Sequence, residues 1–234
     1  MRLRRKPWVD EALEEYRDIV VIKEIPFGKS LKPGVDGRSE YEKSINCEMK
    51  GHWHEVFQRK APLHVELGTG KGKFISELAQ QNPDINFIGI EAQQDVLFYA
   101  AQKVREKGLT NVRLLVFDIN HVLEIFAEGE INRLYINFCD PWHKTRHAKR
   151  RLTHAIFLEK YRTLLAPSGD IYFKTDNRAL FDFSLEQFAE CNLQVDQVTF
   201  DLHHSDYQGN VMTEYETKFS GLGTAINRCE IKFP

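Results

Sequence analysis

Three glycines in the spacing Gly68-x-Gly70-x-Gly72 follow the apolar run Leu63-His64-Val65-Glu66-Leu67 and precede Lys73-Phe74-Ile75. A buried strand turning sharply into a helix fits this pattern, because glycine tolerates positive φ and lets backbone N–H groups approach a ligand. Such turns serve dinucleotides, nucleoside triphosphates and S-adenosylmethionine alike. No P-loop is spelled, and the spacing misses the G-x-G-x-x-G dinucleotide fingerprint by one place. Glu66, two residues before the first glycine, sits awkwardly beside a pyrophosphate but suits a ligand bearing ammonium and sulfonium charge. The sign of that charge favours S-adenosylmethionine, with an ordinary strand-to-helix turn as the plain alternative.

Four more acids, Glu91, Asp118, Asp140 and Asp176, fall at or just past predicted strand ends. Glu91 stands where α/β nucleotide folds hold ribose hydroxyls, or is an exposed strand-end acid. Asp118 either accepts from an adenine amine or caps the following helix, expected around His121 to Ala127. Five carboxylates along one edge of a parallel sheet would make one shared ligand site.

After Asp140-Pro141-Trp142 the chain carries Lys144, Arg146, Lys149, Arg150 and Arg151, with His143 and His147 interleaved and no acid among them. Five fixed cations in eight residues make a strong local field for phosphates. A solvated helix face is the plainer explanation for a charge run. Cations at a predicted helix N-terminus oppose the macrodipole, however, which favours a functional reason.

The elements that must position these groups follow from periodicity. Strands are predicted over Leu63–Leu67, Asn86–Glu91, Asn111–Phe117, from Ile131 to an end in Asp140-Pro141-Trp142, and over Asp170–Asp176, separated by helices carrying Phe74, Ile75, Leu78 and Ala79, then Val96 to Val104, then Leu152, Ile156, Phe157, Tyr161, Leu164 and Leu165. Pro167-Ser168-Gly169 is expected to end that third helix. A further helix carries Phe181, Leu185 and Phe188, and two last strands span Leu193–Leu202 and Asn227–Phe233, with a polar loop containing Thr213–Glu216 between them. His203 and His204 lack metal-like spacing and are expected at the surface.

A chain of 234 residues is most economically one such domain, over 61–234, preceded by a basic, partly flexible arm over 1–60. The arm carries Arg2, Arg4, Arg5, Lys6 and Trp8, turn signals at Pro26–Lys29 and Lys32–Gly34, and no run expected to fill a parallel strand. It either orders on an anionic partner or stays a solvated tail. The net charge of −2 carries no global nucleic-acid signature, so any such binding rests on local patches. Cys47, Cys139, Cys191 and Cys229 form no C-x-x-C pair, and no apolar run reaches membrane length; a soluble cytoplasmic protein without metal is expected, monomer or homodimer being open.

Glu66-Leu-Gly-Thr-Gly-Lys-Gly72, Phe138-Cys-Asp-Pro-Trp-His-Lys144 leading into Arg146–Arg151, and Thr213-Glu-Tyr-Glu216 together resemble the bacterial tRNA (guanine-N7-)-methyltransferases of the TrmB type. The resemblance implies an α/β class I S-adenosylmethionine-dependent methyltransferase (Rossmann-like) fold, a mostly parallel seven-stranded sheet with helices on both faces. It implies methyl transfer to N7 of guanine 46 in the tRNA variable loop. By the same likeness Glu66, Gly68, Gly70, Glu91, Asp118 and Asp140 hold S-adenosylmethionine, and Asp140 is the catalytic residue. Lys144, Asp176, Thr213, Glu214, Tyr215 and Glu216 would contact the substrate, and Arg146, His147, Lys149, Arg150 and Arg151 the RNA. Cys139 and His143 depart from the family pattern, which often has proline or serine at the first and proline at the second.

Overall fold

The computed structural model describes residues 6, 8–23 and 49–234. Arg2, Arg4, Arg5, both turn signals and Cys47 lie outside the described residues. In chain order the elements are α1 (Trp8–Ala12), β1 (Val20–Lys23), α2 (Trp53–Val56), β2 (Leu63–Leu67), α3 (Lys73–Gln81), β3 (Asn86–Glu91), α4 (Gln94–Glu106), β4 (Val112–Val116) and β5 (Ile131–Asn137). Then come α5 (Ala155–Leu164), β6 (Leu165–Thr175), α6 (Arg178–Glu190), β7 (Gln194–Thr199), α7 (Glu214–Ser220) and β8 (Asn227–Lys232). The sheet order is β1-β4-β3-β2-β5-β6-β8-β7. The chain divides into two compact units, Met1–Leu63 with Thr69–Ala127 and His64–Gly68 with Glu128–Pro234.

In the first unit β3 runs parallel to β4, Phe87 opposite Val112 through Glu91 opposite Val116. β1 adds a parallel strand on the other edge of β4, with Val20 opposite Leu114. This corrects two expectations at once: the sheet has eight strands, and the supposed arm supplies one of them. Ile19–Ile22 is too short to show a period in the sequence, yet Ile19 and Val20 are buried and the Ile19 carbonyl accepts the Leu114 N–H at 2.8 Å. Ahead of the strand, α1 packs on α4: its Val9 is buried and its Trp8 lies edge-on against Phe98. Arg105 of α4 pairs with Asp18 at 2.5 Å.

Two small residues let α3 and α4 approach. Gly72 has φ +78°, and a Cβ there would lie 2.5 Å from the Ala100 Cβ. Neither the backbone conformation nor the space admits a side chain.

In the second unit β2, β5 and β6 are mutually parallel, with His64 opposite Arg133 and Arg133 opposite Asp170. β8 is antiparallel to both β6 and β7. The buried stripe of α5 is Phe157, Leu158, Tyr161 and Leu164, whereas Ile156, expected inside, is 46% exposed. The helix begins only at Ala155, so its face is turned relative to a stripe counted from Leu152. Pro167–Gly169 lies inside β6, where the β5–β6 register shifts between Ile131 and Arg133, and does not serve as a helix stop.

Gly72→Ala is expected to destabilise the protein by about 1–3 kcal/mol through clash and strain, read as a lower urea midpoint. His64, buried in β2 beside Arg133, has its pKa held down to about 4 by burial first and the Arg133 charge second. Stability present above the unfolded value of about 6.5 is therefore lost as pH falls towards 4. His64→Gln should flatten that loss in acid unfolding curves.

Candidate active site

In the first unit Thr69–Gly72 of the glycine turn packs against the end of β3 and Glu91. The Thr69 N–H donates to the Ile90 carbonyl at 2.9 Å and the Gly72 N–H to the Thr69 carbonyl at 3.0 Å, which closes the turn against the end of β3. The Gly70 N–H donates to Glu91 Oε2 at 3.2 Å, and the Gln93 N–H to Oε1 at 3.0 Å. These two bonds fix the carboxylate beside the turn. Gly68 and Gly70 have φ of +81° and +57°, and a Cβ at either would meet nothing within 4 Å. The backbone thus borders open space, as a ligand cradle needs.

Asp118 caps the 3₁₀ turn Ile119–Glu124, its Oδ1 accepting the Asn120 N–H at 2.9 Å and Asn120 Nδ2 at 2.8 Å. The capping alternative is therefore realised, on a 3₁₀ turn rather than the expected helix.

In the second unit Glu66 lies within β2, 2% exposed, and its Oε1 accepts Asn137 Nδ2 from the end of β5 at 2.9 Å. Asp140 is exposed three residues past β5. Its loop is fixed by unusual backbone: Phe138 and Trp142, on either side of Cys139-Asp140-Pro141, have φ of +51° and +42°. Left-handed conformations at two bulky aromatics cost about 1–3 kcal/mol each and persist only where surrounding contacts impose them.

Those contacts are visible. The Phe138 N–H donates to the Lys174 carbonyl at 2.9 Å. Arg151 donates from Nε to the Pro141 carbonyl at 3.0 Å and from Nη2 to the Trp142 carbonyl at 3.3 Å, while its guanidinium stacks 4.2 Å from the Phe183 ring centroid. Arg151 is committed to holding the loop, which argues against its expected RNA contact. Burial first, then Asp140, pushes the Cys139 thiol up to about 12, so cysteine at this position is no nucleophile.

The rest of the cationic run, Lys144, Arg146, His147, Lys149 and Arg150, lies on or beside the 3₁₀ turn Thr145–Arg150, and all but the half-buried His147 are exposed. Helix α5 starts later, capped by His154 Nδ1 on the Ile156 N–H at 3.2 Å. The run therefore does not oppose that helix's dipole, and its case rests on exposure and charge density alone.

Thr213–Glu216, expected in a polar loop, instead opens α7. The Thr213 hydroxyl accepts the Glu216 N–H at 3.0 Å, as the T-x-x-E spacing encodes. The Glu216 side chain turns inward and is wholly buried against Lys174 of β6 at 2.5 Å. Lys174 Nζ also donates to the Val211 carbonyl at 2.7 Å and Asn210 Oδ1 at 3.1 Å, using all three of its protons. Glu216 Oε1 takes Asn210 Nδ2 at 2.7 Å and faces His203 Nε2 at 3.1 Å. Both carboxylate oxygens are engaged, so Glu216 is not free to read a guanine edge. His203, exposed as expected, also reaches this network through its side chain, which is 27% exposed. Burial holds the Lys174 pKa below the ordinary lysine range.

Asp176, just past β6, accepts the Tyr215 hydroxyl at 2.9 Å. The Tyr215 ring is 41% exposed, stacks on Phe219 at 4.2 Å and meets Phe138 at 5.1 Å. Burial and the bond to Asp176 push its phenol up to about 12, which keeps it a donor.

A mostly parallel sheet with this glycine turn defines the class I methyltransferase fold, and a solved structure described as an antibiotic related methyltransferase matches with a TM-score of 0.58 over 77% of this chain and 92% of its own, at 18% identity. Residues 60–229 match the family model described as "Putative methyltransferase". The chain is 47% identical over 233 residues to the tRNA (guanine-N(7)-)-methyltransferase of Bacillus velezensis, covering 100% of this chain and 97% of that protein. It is 46% identical over 233 residues to the enzyme of the same name from Bacillus subtilis, covering 100% and 99%. The chain belongs to this methyltransferase family.

Glu216→Ala leaves a buried ammonium without its partner and is expected to cost about 3–5 kcal/mol of stability, measured by urea unfolding. Glu216→Gln, which keeps hydrogen-bonding capacity, should cost less.

Proposed function

We propose that this protein is a cytoplasmic tRNA (guanine-N7-)-methyltransferase acting on guanine 46 of the variable loop. End-to-end likeness to enzymes of that name carries the reading, and the exposed acid on a braced loop beside a cationic run agrees with it. No helix among the described residues is long and apolar enough to cross a membrane.

S-adenosylmethionine, when bound, supplies an electrophilic methyl group on sulfur. The open glycine turn and the carboxylates of Glu91, at the end of β3, and Asp118, just past β4, fit such a ligand. Gly68 and Gly70 would border it, Glu91 accept from the ribose, Asp118 Oδ2 accept from the adenine amine, and Glu66 and Asp140 offset its positive charge. Guanine N7 carries a lone pair and no proton, so the protein need supply no general base. Its task is alignment, worth up to about 7–11 kcal/mol in well-oriented systems, and stabilisation of the charge that the base gains.

Asp140 takes the second role as an exposed carboxylate on a rigid loop. Tyr215 offers its exposed ring for stacking, held by Asp176, with Lys144, Thr213 and Glu214 around the substrate. Glu216 positions these groups through its buried pair without touching guanine. Arg146, His147, Lys149 and Arg150 meet phosphates, and Arg151 braces the loop.

The test is transfer of labelled methyl from S-adenosylmethionine to unmodified tRNA, followed by nucleoside mapping. N7-methylguanosine in the variable loop is expected, and Asp140→Ala should lower the rate at saturating cofactor by about 10²-fold or more. A different methylated nucleoside would overturn the substrate assignment, and an undiminished rate in Asp140→Ala would remove the catalytic one.

A further inference from the structure

A second basic and aromatic cluster lies in the first unit, away in sequence from the run after Asp140. Lys6 Nζ donates to the Tyr99 hydroxyl at 3.0 Å and stands 5.4 Å from that ring's centroid. Lys71, from the glycine turn, brings its ammonium to 5.5 Å from the same ring. Lys103, one turn along α4 from Tyr99, donates to the Lys71 carbonyl at 2.7 Å and so fixes the backbone that carries it. Trp8 lies beside them, 49% exposed, with Lys6 Nζ 5.7 Å from its ring.

Among the described residues neither the Lys6 nor the Lys71 ammonium forms an ion pair. Asp95 accepts the Lys6 backbone N–H on both oxygens at 3.3 Å and adds one negative charge beside the Lys6 ammonium, against the three lysines Lys6, Lys71 and Lys103. The Tyr99 phenol is pulled below its ordinary range, first by the hydrogen bond from Lys6 and then by the charges of Lys6 and Lys71. Two ammonium groups placed about one ring concentrate positive charge that an anion would offset. Cations beside the half-buried Tyr99 ring and the exposed Trp8 ring are what nucleic-acid backbones and unstacked bases select. In sequence, Arg2, Arg4 and Arg5 precede Lys6 directly.

We propose that Lys6, Lys71 and Tyr99, with Trp8, form a second RNA-contacting surface that takes phosphates of the tRNA substrate. It rests on the methyltransferase reading and goes beyond it, because the RNA would then be held by a patch that includes the glycine turn as well as by the cationic run.

The test is tRNA affinity across a salt series for the full chain and for the Lys6→Gln/Lys71→Gln double variant, with S-adenosylmethionine affinity measured on both by calorimetry. The expected result is an unchanged cofactor affinity, a tRNA Kd raised about 10-fold at low salt, and a log–log salt slope reduced by about 2, one for each phosphate contact. Lys71→Arg should keep the wild-type slope. An unchanged slope in the double variant overturns the surface. If that unchanged slope comes with lost adsorption to phosphatidylglycerol vesicles, the patch serves a lipid surface instead and the proposal also falls. Methylation of tRNA by the wild-type chain is scored separately: its absence sinks the functional reading, whereas its presence with an unchanged variant slope sinks only this surface.

Discussion

The buried pair between Lys174 and Glu216 is the constraint on which the aromatic surface around Tyr215 and the entry to the Asp140 loop depend. An ammonium and a carboxylate removed from water are costly, and the cost is offset only if every proton and lone pair finds a partner. Here Asn210 touches both members, the Val211 carbonyl takes the third lysine proton, and His203 completes the carboxylate. The consequence is positional. The pair fastens the first turn of α7 and the 203–211 segment to β6, and the Lys174 carbonyl in turn receives the Phe138 N–H that begins the Asp140 loop. One lysine thereby sets both the aromatic surface around Tyr215 and the entry to the loop bearing the exposed acid.

The Asp140 loop carries the opposite kind of feature. Two aromatic residues held at positive φ would relax if left alone, and Arg151 prevents it by gripping the Pro141 and Trp142 carbonyls. Strain and brace together remove freedom from the acid between them, which is what alignment-based chemistry asks of a scaffold. The cations of the 144–151 run are thus divided in labour, with Arg151 structural and the rest presented outward.

Much of this was legible in the sequence. The strand ends at Glu66 and Glu91 and the glycine turn were placed correctly because apolar runs bounded by glycine and charge leave little choice of register. β1 was not legible: a four-residue strand has no measurable period, and its evidence is pairing with β4, which is non-local. Glu216 was misjudged because a polar stretch between strands looks like a loop, although T-x-x-E was a usable helix-start signal. That its side chain would turn inward to Lys174 could not be read, since burial of a charge depends on a partner 42 residues away. Arg151 illustrates the same limit, for a run of cations does not reveal which member faces inward.

The central claim is that Glu216 builds the substrate side without reading the base. A double-mutant cycle tests it most directly: methylation rates of wild type and Glu216→Gln on tRNA bearing guanine or inosine at position 46, the second lacking only the 2-amino group. The account predicts that exchanging guanine for inosine changes the rate by the same factor in both proteins. A factor that disappears in Glu216→Gln would mean that the carboxylate touches the guanine amine, and the positioning role would be wrong.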